Sequence, residues 1–229
     1  MKLRGPKAGE QLLARERPRE QVDGSFIDRY ADGISISRRR RRKAKVLQRA
    51  LARLFPTGTG LEIVDLGCAD GAIPLLLLQS ASGPAIAHIT GITLLDYNDL
   101  PDKPAHAHPR FRRAIADLQL PLAMPDLPWG ACDAVLATAF LHYCADPSVP
   151  LATAVRLLKP GGYLLVSLPA PWALRLFKTG IPHLLPRNNR IRHLFSYANW
   201  RKLITAQGFN PVSEAPLGIS NRLLVYQKT

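Results

Sequence analysis

Val64-Asp65-Leu66-Gly67-Cys68-Ala69-Asp70-Gly71 is the stretch on which the fold is decided. It closes the short apolar run Leu61 to Leu66, whose β-branched residues and abrupt ending predict a buried strand. Gly67 allows a tight turn and lets a ligand approach the backbone; Gly71 lets the next helix, expected over Ala72 to Gln79, pack closely on the strand. In a parallel sheet such a turn lies beyond the carboxyl end of its strand, where ligands bind. Ala69 stands where a dinucleotide-binding turn carries glycine, and no basic residue follows for a pyrophosphate. Asp65 and Asp70 instead put negative charge beside the turn, which suits a zwitterion bearing an ammonium and a sulfonium.

Outward from that turn the pattern alternates. Strands are expected over Ile86 to Leu95, Phe111 to Ile115, Ala131 to Leu136 and Tyr163 to Leu168, with a helix over Leu151 to Leu158 stopped by Pro160-Gly161-Gly162. Tyr163 to Leu168 is almost continuously apolar, as a parallel strand covered on both faces requires. Tyr197 to Gln207 reads as a helix ended by Gly208, and Phe209 to Val212 and Arg222 to Gln227 as two last strands. Alternation of this length predicts an α/β protein with a doubly wound, mostly parallel sheet. Residues 1–24 lack apolar periodicity and read as loose, whereas Val46, Leu47, Ala50, Leu51 and Leu54 recur at helical spacing behind the run Arg38 to Lys43. The expected organisation is a basic N-terminal extension and cap helix over 1–55, then one domain over 56–229 in which 170–195 covers the substrate.

With 47% hydrophobic and 21% charged residues in 229, the composition is that of a globular protein with a substantial core. No apolar run approaches the roughly 20 residues of a membrane span, and the cationic start Met1 to Lys7 has no apolar stretch behind it, so no secretory leader is expected. Cys68, Cys132 and Cys144 lack metal-type spacing and point to reduced thiols in a cytoplasmic protein. The net charge of +14 is unevenly spread: 16 Lys and Arg against 6 acids in residues 1–55, 6 against 10 in 56–170, and 7 against none in 171–203. Two basic flanks around a mildly acidic middle point to an acidic partner.

Four segments in order carry a specific resemblance. Val64 to Gly71 resembles motif I of the class I S-adenosylmethionine-dependent methyltransferases, whose usual form has a third glycine in place of Ala69. Ala131-Cys132-Asp133-Ala134-Val135-Leu136-Ala137-Thr138 is similar to the strand-four motif, and Leu157-Leu158-Lys159-Pro160-Gly161-Gly162-Tyr163 to the turn into strand five. Trp200 to Gly208-Phe209 resembles the helix and turn before the last two strands. The resemblance spans about Leu61 to Lys228 and is closest to enzymes of small-molecule, quinone and saccharide metabolism. It implies a Rossmann-like, seven-stranded, mostly parallel sheet with helices on both faces, S-adenosylmethionine as cofactor and S-adenosylhomocysteine as product. Carried onto this chain, it assigns Gly67, Cys68, Ala69 and Gly71 to the methionine part, with Asp65 shaping the loop. Asp96, or alternatively Thr93, would hold the ribose; Asp117 and Leu118 would meet the adenine, and Ala137 would border the cofactor from strand four.

Methyl transfer from a sulfonium depends mainly on alignment, although an oxygen nucleophile can need a base. His142, with Tyr143 beside it, follows strand four and is the candidate base; His183 and His193 are weaker candidates, and His106 and His108 sit in a proline-rich loop with no acidic cluster, so no metal site is expected. In the family the N-terminal helices and the segment after strand five build the acceptor pocket, and here these are the two basic flanks. Phe26, Tyr30, Trp172, Phe177, Leu184 and Leu185 are interleaved with that charge. The preferred reading is a small or lipid-linked acidic acceptor, methylated on oxygen or nitrogen, with docking at an anionic membrane surface through 1–55 and 171–203. The alternatives are RNA held on the same flanks, and a non-catalytic domain binding cofactor or nucleic acid.

Overall fold

A computed structural model of the chain describes residues 38–57, 60–80, 83–93, 108–120, 124–180 and 191–229. Their elements are α1 (Arg38–Leu54), β1 (Leu61–Leu66), α2 (Ala72–Leu78), β2 (Ile86–Thr93), β3 (Phe111–Ile115), β4 (Cys132–Thr138), α3 (Ser148–Leu157), β5 (Leu158–Pro169), α4 (Pro171–Thr179), α5 (Tyr197–Thr205), β6 (Phe209–Pro216) and β7 (Asn221–Lys228). The strands form one seven-stranded sheet in the order β3-β2-β1-β4-β5-β7-β6. The first five are parallel, and β7 runs antiparallel to both β5 and β6. This is the Rossmann-like sheet that the motif order implies.

The boundaries moved where local chemistry competes with pattern. The helix α3 begins at Ser148, three residues before its apolar pattern, because Asp146 Oδ1 accepts the Ser148 N–H at 2.9 Å. Pro150 sits in its first turn, where a missing N–H costs nothing. Strand β5 starts at Leu158, so Pro160-Gly161-Gly162 lies inside it: Leu158 pairs with Cys132 and Tyr163 with Ala134, and the residues between bulge out. The segment after β5, unreadable from pattern, opens with Pro171 at the start of α4, where proline is pre-set for a helix.

Alternation along the central strands sorts the core into two layers. Val64 and Leu66 of β1, with Val135, Leu164 and Val166, face Leu151, Ala154 and Trp200 of α3 and α5. Leu61 and Ile63, with Ala134, Leu136 and Leu165, face Ala44, Leu47 and Leu51 of α1 and Ile73 and Leu77 of α2. The helix α1 is therefore integral to the sheet, its Leu47 and Leu51 fully buried. The two-residue period also puts Asp65 on the α1 side, the one carboxylate in a strand otherwise filled with aliphatic groups on that face.

Candidate active site

At the carboxyl end of β1 the chain turns through three left-handed residues: Gly67 at φ 74°, Ala69 at 51° and Gly71 at 77°. The Gly67 and Cys68 N–H groups both donate to the Ile92 carbonyl of β2, at 2.9 and 3.0 Å, and Gly71 N–H donates to the Cys68 carbonyl at 3.0 Å. Gly67 is obligatory on two counts. Its φ is one that L side chains avoid, and a Cβ there would lie 2.6 Å from the Phe140 ring. Ala69 adopts the same unfavourable region without glycine, a local strain of about 1 kcal/mol. Cys68 is buried, its thiol pushed above its ordinary range by burial and then by Asp65, so it is an inert wall of the turn.

The acidic groups of the turn meet cations from α1. Asp70 is 3% exposed; its Oδ2 accepts from Arg40 Nη1 at 2.7 Å and its Oδ1 from the Ala72 N–H at 3.2 Å. One helical turn on, Lys43 faces Asp65. Burial, then Arg39, lowers Lys43 to about 8, against the pull of Asp65. Asp65 is 1% exposed, neither carboxylate oxygen has a hydrogen-bond partner among the described residues, and burial pushes it up to about 7 despite Lys43. Arg40, Lys43, Ala44, Leu47 and Leu51 share the inward face of α1, so part of the arginine run neutralises the protein's own turn. The sequence reading missed Arg40 and Lys43 because its apolar periodicity began only at Val46; their spacing of four from Ala44 and Leu47 was the available signal.

Beyond β4, Leu141 to Tyr143 form a single 3-10 turn. His142 is buried, its Nδ1 has no partner among the described residues, and burial, then Lys43 and His193, lowers it to about 3. Burial thus favours the neutral imidazole, and His142 stands at the site as a hydrogen-bonding group. Its carbonyl accepts from the Arg192 and His193 N–H groups at 3.0 and 3.3 Å, which pins the 191–193 segment over the turn. Tyr143 is exposed and stacks obliquely on His142, with centroids 4.0 Å apart. His193 lies against Phe195 and is within 3.2 Å of the Ala145 carbonyl through Nε2, a packing position. Ser167, near the end of β5 and on the α1 side, has a buried hydroxyl without a hydrogen-bond partner among the described residues. Asp65, His142 and Ser167 thus bring three unsatisfied polar groups to the carboxyl ends of β1, β4 and β5.

The remaining predicted residues divide. Asp117 follows β3 half-buried, its Oδ1 accepting the Gln119 N–H at 2.9 Å. Leu118 and Ala137 have side chains 4% and 1% exposed, packed in the core beside the strand ends. Thr93 is the buried last residue of β2, and its carbonyl accepts from Ala116 N–H at 2.8 Å. His108 caps the loop entering β3, at the edge of the sheet away from the glycine turn. Asp96, His106, His183, Phe26, Tyr30, Leu184, Leu185 and the expected loose stretch 1–24 lie outside the described residues. Among the described residues no group of His, Cys, Asp and Glu has the arrangement of a metal site, and no helix is long and apolar enough to cross a membrane.

A family model described as a methyltransferase domain matches residues 36–214, which include α1 and run to the last strand pair. The chain belongs to the class I S-adenosylmethionine-dependent methyltransferases. Solved structures share the fold. The methyltransferase superimposes on the trans-methyltransferase CalH in complex with S-adenosylhomocysteine at TM-score 0.65 and 16% identity, over 82% of this chain and 58% of that one. On an S-adenosylmethionine-dependent methyltransferase from Mesorhizobium loti the values are 0.55 and 18%, over 79% and 96%. On the [4+2]-cyclase SpnF they are 0.57 and 16%, over 80% of each. No curated protein matches the chain in sequence. S-adenosylmethionine is the cofactor of this methyltransferase family, and a buried carboxylate with no hydrogen-bond partner among the described residues, at the end of β1 beneath the glycine turn, fits its ammonium.

Proposed function

We propose that this methyltransferase acts on a small or lipid-linked acidic acceptor, methylating an oxygen or nitrogen. The observation that carries the reading is the charge at the rim of the site. The N-terminus of α1 reaches the glycine turn through Arg40 and Asp70, so the exposed Arg38, Arg39, Arg41 and Arg42 stand at the same edge of the sheet as the cofactor turn. Exposed Arg192 joins them, next to the backbone bonds that hold its segment on the His142 carbonyl. An acidic acceptor entering there moves down a favourable potential towards the reacting carbon.

When bound, S-adenosylmethionine supplies a methyl group already activated on sulfur. The work left to the chain is placement. Asp65 would take the ammonium, releasing its own proton as it ionises. The backbone of Gly67 to Gly71 would lie along the methionine part, Asp117 would meet the adenine amine, and Asp96 or Thr93 the ribose. Neutral His142 would hold an acceptor hydroxyl or amine by a hydrogen bond, with Tyr143 and the segment it anchors restricting water. The three buried thiols Cys68, Cys132 and Cys144 suit work in a reducing, cytoplasmic setting.

The test is transfer of labelled methyl from the cofactor into acidic small molecules, a lipid extract and total RNA, offered separately. Label in an acidic metabolite or an extractable lipid is the expected result. Label confined to RNA would replace this reading with the polynucleotide one, and cofactor binding without transfer to any class would favour a non-catalytic role.

A further inference from the structure

We propose that the site-bearing edge of the sheet is a membrane-docking face, with Ile219 as the inserting residue and the arginines of α1 as its collar for anionic lipid headgroups. This goes beyond the methyl-transfer reading and holds whichever acceptor is methylated. Ile219 lies at the tip of the turn joining β6 to β7 and is 95% exposed, whereas the flanking Leu217 is buried. The Leu217 N–H to Asn221 carbonyl bond, 2.9 Å, closes the tip, so Ile219 is held outward rather than swinging free. A single exposed aliphatic residue is ordinary; what sets Ile219 apart is its place on a closed tip with exposed Trp172 and Arg42 on the segments packed beside it.

Three elements meet at this tip. The Ala170 N–H donates to the Ser220 carbonyl at 2.7 Å, which seats the tip against the start of α4, where Trp172 is 53% exposed. The Arg42 guanidinium lies 3.9 Å from the position a Cβ on Gly218 would take, which brings the first turns of α1 to the other side. Arg38, Arg39 and Arg41 are exposed on the same first turns of α1 as Arg42, and Arg175 is exposed one turn along α4 from Trp172. None of the segments Arg38–Leu54, Pro171–Thr179 and 217–221 contains an acidic residue. Glu214, further down β6, is held by Arg201 and Arg222.

Protruding aliphatic, interfacial tryptophan and surrounding arginine are the three ingredients of binding at an anionic bilayer surface. A polynucleotide would use the arginines and Trp172 equally; the discriminating residue is Ile219, whose aliphatic side chain offers no flat face for a base and which inserts readily among acyl chains. Docking by this edge turns the mouth of the methyl-transfer site to the bilayer, where an amphiphilic acidic acceptor would be met without leaving the lipid.

The experiment is sedimentation of the full chain with large vesicles, of phosphatidylcholine alone and of phosphatidylcholine doped with phosphatidylglycerol, at low and high salt. The wild type should bind only the anionic vesicles and release as salt rises. Ile219→Asp should weaken that binding at least about tenfold, the scale of one buried aliphatic side chain, and Arg42→Gln about fivefold. Both variants should keep the wild-type melting temperature and affinity for S-adenosylhomocysteine, which separates loss of docking from loss of the methyltransferase site. Vesicle binding by Ile219→Asp equal to wild type would overturn the proposal, as would equal binding to neutral vesicles. Tight binding of a single-stranded RNA that displaces vesicles while ignoring Ile219→Asp would also overturn it and reassign the face to nucleic acid.

Discussion

If Asp65 receives the cofactor ammonium, cofactor affinity must follow the ionisation of Asp65. Burial lifts its carboxyl from 3.8 to about 7, roughly three units, or about 4 kcal/mol of preference for the neutral form. A cationic ligand needs the anion, so the empty site must lose a proton to bind. At pH 8 about nine-tenths of the carboxyl is ionised, and at pH 5.5 about one part in thirty, so affinity should fall about 30-fold between them. S-adenosylhomocysteine is the right probe, because it keeps the ammonium and lacks the sulfonium. Calorimetry in buffers of different ionisation enthalpy should show close to one proton released per ligand at pH 6 and almost none at pH 8. Asp65→Asn should bind at least about tenfold more weakly at pH 8, through loss of a charge-assisted hydrogen bond, and show little change down to pH 5.5. Lys43→Met removes the cation that pulls Asp65 down, so it should move the wild-type inflection to higher pH. Affinity that is flat from pH 5.5 to 8 in the wild type, or a slope that survives Asp65→Asn, would refute the assignment.

Four further outcomes are expected. Gly67→Ala should cost about 2–5 kcal/mol, combining left-handed strain with the clash against Phe140; adding Phe140→Ala should recover the clash but not the strain, so urea denaturation of the double variant will show a coupling of about 1–3 kcal/mol, and strict additivity would contradict the contact. Arg40→Ala leaves Asp70 buried without its cation and should destabilise by about 1–3 kcal/mol, while Arg41→Ala, on the exposed face of the same helix, should change the urea midpoint little. Because His142 is lowered from 6.5 to about 3, the unfolded chain binds the extra proton and stability should rise with pH between those values; Asp65, raised from 3.8 to about 7, opposes it by losing stability as pH rises over nearly the same window. His142→Gln should therefore leave the falling trend exposed in melting scans from pH 4 to 7, and it should keep most of the turnover with no acidic limb removed from the pH–rate profile. Asp117→Asn, which keeps an oxygen for the Gln119 N–H, should weaken S-adenosylhomocysteine several-fold without shifting the melting temperature, and unchanged affinity would move the adenine site elsewhere.

Much of the fold was legible because its signals are local. Leu61 to Leu66 and Phe111 to Ile115 form strands with the boundaries read from the sequence, and the glycine turn between β1 and α2 sits where the backbone needs left-handed residues. Less of the site was legible. Arg40 and Lys43 were lost in a run of six cations, because nothing in the run says which members face inward. His142 was read as a base because its residue type titrates near neutrality, and its burial beside Lys43, which favours the neutral form, exists only in the folded chain. Leu118 and Ala137 have side chains packed in the core, which their places in the sequence did not reveal.

The sequence by itself determined the order of strands and helices, the turn Gly67 to Gly71, and membership of a methyl-transferring family, because these rest on periodicities, on turn stereochemistry and on motifs that tolerate little substitution. Tertiary structure decided what the charges do. Packing α1 across the sheet assigns Arg40 to Asp70 and sets Lys43 against Asp65, while Arg38, Arg39 and Arg41 remain on the surface and Arg42 reaches the turn that carries Ile219. The physical reason is that a charge acts through its distance from other charges and from water, and neither distance exists until the chain has folded.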